Sequence, residues 1–116
     1  HPSTECIWLN ALDPAQPWGK RFPHVEGRAF MNVIGTYVAM IGGEVVAVME
    51  RKGKVFRCFE ETKQEEILMS FAKGFQRKSI FAHEKRIVVK EYPEGAGNVF
   101  AKAGFKKEML DYVLYQ

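Results

Sequence analysis

Apolar residues in this chain change their spacing from one segment to the next, and the spacing predicts the elements. From Val33 to Ile41 and from Val45 to Met49, β-branched and aromatic residues follow one another nearly without interruption, as buried strands require. Gly42-Gly43 lies between them and suits a two-residue hairpin turn, whose central residues both need positive φ. A third run, Val55 to Phe59, follows Arg51-Lys52-Gly53, which suits a three-residue hairpin loop with Gly53 left-handed. From Lys63 to Lys78 the spacing becomes helical, with Ile67, Leu68, Phe71, Ala72 and Phe75 on one face. Thr62 and Glu65 form a capping-box pattern at its start, and Arg77 and Lys78 end it with the charge that the helix dipole favours. Then come a strand over Arg86 to Tyr92, stopped by Pro93-Glu94-Gly95, and a short helix over 97–103, ended by Gly104. A last strand spans Asp111 to Tyr115.

The turns set a register. Pairing Ile41 with Glu44 places Ala39 opposite Val46 and Tyr37 opposite Val48; the second turn sets Val48 near Phe56 and Val46 near Cys58. One face then reads Tyr37, Ala39, Val46, Val48, Phe56 and Cys58, with Cys58 as a packing thiol. The other holds Val38, Met40, Val45, Ala47, Met49 and Val55, together with Thr36 and Arg57. A meander apolar on both faces needs cover on both. The expectation is an α+β fold: a curved, barrel-like, mainly antiparallel sheet in the order βββ-α-β-α-β, with one main helix packed on it. Ahead of it, residues 11–27 carry Pro14, Pro17 and Pro23 with Gly19 and Gly27, so 1–27 reads as an irregular lead-in.

Composition narrows the class. The chain has 116 residues, enough for one domain, and 47% apolar with 27% charged residues argues against extended disorder. No apolar run approaches the roughly 18–20 residues of a membrane-spanning helix, and no signal peptide is visible in the first thirty residues. Two reduced thiols are what a cytoplasmic protein carries, and that location is expected. The start at His1-Pro2-Ser3 reads as a cut end, which makes the single domain 1–116 a fragment of something larger. Two cysteines, Cys6 and Cys58, and three scattered histidines make neither a disulfide framework nor a set with metal-ligand spacing. Glu60-Glu61 and Glu65-Glu66 fall at a helix start, where the dipole accounts for them.

The formal charge is +3, and the cations are clustered. Arg51, Lys52, Lys54 and Arg57 crowd the second hairpin; Arg77 and Lys78 end the helix; Lys85, Arg86 and Lys90 begin and continue the next strand. Such patches engage phosphates without reading bases. Trp18, Lys20 and Arg21 interleave an aromatic ring with cations, a pattern that stacks a base and holds a backbone, or that anchors an irregular segment to a core. Gly95-Ala96-Gly97 ahead of a short helix, with Ala103-Gly104-Phe105 before a final strand, resembles the end of the acetyl-coenzyme A-dependent acetyltransferases. Tyr92 stands where their phosphate loop has Gln or Arg, and the loop follows the wrong strand.

A broader likeness lies in the ordered motifs Asp13-Pro14-Ala15-Gln16-Pro17-Trp18-Gly19, Gly35-Thr36-Tyr37-Val38, Gly43-Glu44-Val45-Val46, Glu50-Arg51-Lys52-Gly53-Lys54 and Lys85-Arg86-Ile87-Val88-Val89-Lys90. Together they resemble the extreme C-terminal module of the large helicase-related proteins, bacterial superfamily 2 DNA helicases of the DEAD/DEAH type. The likeness runs from Leu9 to Tyr115. It implies a parent with an N-terminal ATP- and magnesium-dependent motor, winged-helix domains and a terminal barrel-like module, similar in architecture to alkylpurine-type DNA glycosylases. No cofactor, ATPase residue or glycosylase carboxylate falls within this chain; Asp13 before Pro14 reads as a turn residue. The implied partners are the remainder of the helicase and DNA, bound without regard to sequence in a repair setting, with no membrane. The implied nucleic-acid contacts are Trp18, Lys20, Arg21, Arg51, Lys52, Lys54, Arg57, Arg77 and Lys78. The rival expectations are a small acetyltransferase-like or glycosylase-associated enzyme and a purely protein-binding domain.

Overall fold

A computed structural model describes residues 5–11 and 34–116. The chain runs β1 (Ile7–Asn10), β2 (Tyr37–Ile41), β3 (Glu44–Glu50), β4 (Val55–Cys58), α1 (Gln64–Gln76), β5 (Arg86–Val89), α2 (Gly97–Lys102), β6 (Lys106–Glu108) and β7 (Asp111–Tyr115). The fold is α+β, with two antiparallel sheets in the orders β1-β2-β3-β4 and β5-β7-β6. Beyond the expected order it adds β1 and β6. The lead-in beyond Ala11, with Trp18, Lys20 and Arg21, lies outside the described residues.

Gly42 and Gly43 take φ of 59° and 84° and close the β2–β3 hairpin, so Ile41 faces Glu44 as the turn dictates. The register then departs from the expected one. Met40 pairs with Val45 but Ala39 pairs with Ala47, which leaves Val46 as the extra residue of a β-bulge. The bulge reverses the phase of the rest of β3. Val48 therefore pairs with Val38 and Arg57, away from Phe56, and Met49 faces Tyr37 and Phe56. Ala47 and Met49 belong to the helix-side core, while Val48 joins Ala11, Val38 and Val45 in a second buried cluster.

Helix α1 buries the face its periodicity defines: Ile67, Leu68, Phe71, Ala72 and Phe75. The capping box does not form. Residues 61–63 make a 3₁₀ turn, Lys63 becomes the N-cap, and the Thr62 hydroxyl donates to the Glu60 carboxylate at 2.8 Å. Two contacts tie the helix to the chain around β1: the Trp8 indole N–H donates to the Ile67 carbonyl at 3.1 Å, and the Ser70 hydroxyl to the Cys6 carbonyl at 3.1 Å. Phe71 sits among Trp8, Phe75, Phe81 and Phe105, and Phe100 stacks on Tyr112 with centroids 4.7 Å apart. These rings join both sheets and both helices into one main core.

The sheets meet at one parallel bridge, Val55 with Glu91. The Phe56 amide donates to the Glu91 carbonyl at 2.9 Å, and the Lys54 carbonyl accepts the amides of Lys90 and Glu91 at 2.8 and 3.0 Å. Strand β5 ends at Val89, short of the expected Tyr92. Among the described strands β1 and β6 are outer edges, so these sheets are not closed into a barrel.

Candidate nucleic-acid interface

The basic hairpin between β3 and β4 is built by its backbone. Arg51, Lys52 and Gly53 take φ of 54°, 58° and 95°, three left-handed residues in succession. For non-glycine residues that conformation costs roughly 1–2 kcal/mol each, so the surroundings must enforce it. They do so from three sides. The Lys52 amide donates to the Gly35 carbonyl at 2.8 Å, the Lys54 amide closes the turn on the Arg51 carbonyl at 3.3 Å, and the Lys54 carbonyl takes the two amides after β5. Gly53 is buried against Ile87: a Cβ there would lie 2.4 Å from Ile87 Cγ2. The tip is held against the body of the fold, with Arg51, Lys52 and Lys54 exposed.

Its charges divide. Lys52 Nζ lies 4.0 Å from Glu84 Oε2, a loose and exposed pair. Among the described residues, Arg51 and Lys54 have no carboxylate within 4.0 Å. Arg57, expected in the same patch, is engaged elsewhere: its Nε donates to Glu50 Oε1 at 2.7 Å, from the face it shares with Val48. Lys90 is likewise held by Asp111 at 2.9 Å. The tip thus combines two uncommitted cations with one weakly paired lysine on a fixed backbone, which suits contact with successive phosphates.

Arg77 and Lys78 lie at the exit of α1, both exposed. Lys78 has φ of 63° and its amide donates to the Phe75 carbonyl, while the amides of Ser79 and Ile80 turn back to Gly74; its backbone terminates the helix. Arg77 borders a groove of about 670 Å³ between α1 and residues 5–8, whose lining mixes Lys73 with Glu5, Glu65 and Glu66. That mixture of signs is a poor phosphate site.

Gly35 is the part of the tip that sequence reasoning missed, because its role depends on a hydrogen bond to a residue far along the chain. Gly97, read as part of a possible phosphate loop, has a packing role: a Cβ there would lie 2.5 Å from the Tyr112 hydroxyl. The connection from β4 to α1 carries Glu60 and Glu61 and no glycine, the wrong charge for a pyrophosphate. Burial pushes the Cys6 thiol up to about 11 and also raises Cys58, so both are protonated thiols at neutral pH. Among the described residues no group of His, Cys, Asp and Glu could hold a metal ion, and no helix is long and apolar enough to cross a membrane. The chain matches no protein-family model, no curated protein and no solved structure.

Proposed function

We propose that this chain is a non-motor C-terminal accessory module of an ATP-dependent DNA helicase acting in DNA repair in the cytoplasm, and that it meets the DNA backbone through the tip of the β3–β4 hairpin. The observation that carries this reading is convergence. Three motif segments behind the helicase resemblance, 35–38, 50–54 and 85–90, meet at the tip through the Lys52–Gly35 hydrogen bond, the Gly53–Ile87 contact and the Lys54–Lys90 hydrogen bond. Segments scattered along the sequence thus support one basic turn.

In this reading the motor, with its ATP and magnesium, belongs to another part of the helicase, and so does the chemistry. The module docks on winged-helix neighbours, and any barrel-like closure of its sheets is completed by them. Arg51 and Lys54 neutralise phosphates and Lys52 assists once it leaves Glu84; none of them reads a base. The reading is tested by measuring affinity for unrelated DNA duplexes of equal length with the wild type and with the Arg51→Glu, Lys54→Glu double variant. Equal affinity across sequences, loss of binding in the variant and an unchanged melting temperature are expected. Wild-type affinity in the variant at low salt would reject the tip as the contact.

A further inference from the structure

The seam between the two sheets opens immediately beyond the Val55–Glu91 bridge, and we propose that this split receives an extended, lysine- or arginine-bearing segment of a partner protein as an added strand alongside β4. The hydrogen-bonding directions follow from the bridge. Because the Phe56 amide points to Glu91, the alternate positions Val55 and Arg57 serve β3, and the Phe56 carbonyl and the Cys58 amide turn toward the seam. Neither has a backbone partner there among the described residues.

The sequence explains why the ladder stops. In a parallel pairing the next donor to the Phe56 carbonyl would be residue 93, which is Pro93 and has no N–H. The zipper is cut at that residue, leaving an open cleft of about 330 Å³ between residues 55–59 and 91–93. An acceptor followed two residues later by a donor is the pattern an extended chain satisfies when it joins a sheet edge.

Charge selects the occupant. Glu91 is exposed on the cleft, and Glu60 and Glu94 directly follow lining residues. Of the two lysines that directly precede lining residues, Lys90 is held by Asp111, which leaves Lys54 against three carboxylates. Arg57, the cation of the lining, is already neutralised by Glu50. A phosphate-bearing ligand, whether nucleic acid or a coenzyme, meets carboxylates here, whereas a basic peptide meets complementary charge. The cleft is therefore a different site from the basic tip, with the opposite preference.

The test is an amide-resolved titration of the ¹⁵N-labelled protein with a capped peptide of alternating lysine and valine. The expected result is saturable shifts centred on the Cys58 amide and on Glu91 and Tyr92, and none for the same peptide with N-methylated backbone amides. Pro93→Ala restores the missing donor and lets the seam close, so it should weaken binding by about tenfold or more while the protein stays folded. Glu91→Lys should weaken binding through charge alone, without touching the ladder. The proposal is overturned if the peptide leaves the seam unshifted, if N-methylation is without effect, or if Pro93→Ala binds as the wild type does. It is equally overturned if acetyl-coenzyme A shifts these amides and the peptide does not.

Discussion

Gly53 and Ile87 are in contact across the junction of the two sheets, with the glycine at φ of 95° and room for no side chain, since a Cβ added to it would lie only 2.4 Å from Ile87 Cγ2. The pair fixes the β3–β4 tip to β5, so conformation and packing act at one point. Gly53→Ala must place a side chain in a left-handed conformation and force it into a filled space. The expected loss is about 2–5 kcal/mol, the sum of the conformational and overpacking costs. Thermal or urea unfolding measures it, and a loss below about 1 kcal/mol would show that the tip is loosely held.

Lys78 ends α1 in a left-handed conformation that glycine adopts without strain. Lys78→Gly should therefore stabilise the fold by about 0.5–1 kcal/mol, raising the melting temperature by a few degrees. DNA affinity should change little, because in this account the phosphates are met at the β3–β4 tip.

Thr36 is 1% exposed, and its hydroxyl has no hydrogen-bond partner among the described residues. Its backbone carbonyl is used, accepting the Ala11 amide at 3.0 Å. Thr36→Val keeps the shape and the backbone bond while removing the unsatisfied polar atom. A gain of about 1 kcal/mol is expected in denaturant unfolding.

Cys6 titrates higher when folded than when unfolded, chiefly through burial. The unfolded chain therefore loses this proton first as pH rises, and ionisation favours unfolding. The stability that Cys6 contributes is fully present below about pH 9 and is lost progressively as pH passes through about 11. Unfolding midpoints across that window should fall less steeply for Cys6→Ala than for the wild type. The thiol should also resist alkylation at neutral pH until the protein unfolds.

The legible parts of the fold are those where local chemistry and tertiary structure agree. The apolar face of α1 and the Gly42-Gly43 turn follow from spacing and from the positive φ that glycine permits. The bulge at Val46 does not, because Val45-Val46-Ala47-Val48-Met49 is apolar throughout and carries no polar alternation to mark its phase. Strand β6 was hidden for the opposite reason: Lys106-Lys107-Glu108 is wholly polar and exposed, and pairs only because β7 lies beside it. At the candidate site, clustered cations were visible but their commitments were not. Glu50 draws Arg57 away from the tip, and the left-handed Arg51 and Lys52 are imposed by contacts with Gly35 and Ile87 that lie outside the local sequence.

The most direct test of the account is the salt dependence of duplex DNA binding by the wild type and by the Arg51→Gln, Lys54→Gln double variant. Each lost phosphate contact should reduce the slope of log affinity against log salt by about 0.9, so the double variant should lose about 1.8 from its magnitude. The same reduction should appear on unrelated sequences. A slope and affinity unchanged from the wild type would contradict the assignment of the hairpin tip to the DNA backbone.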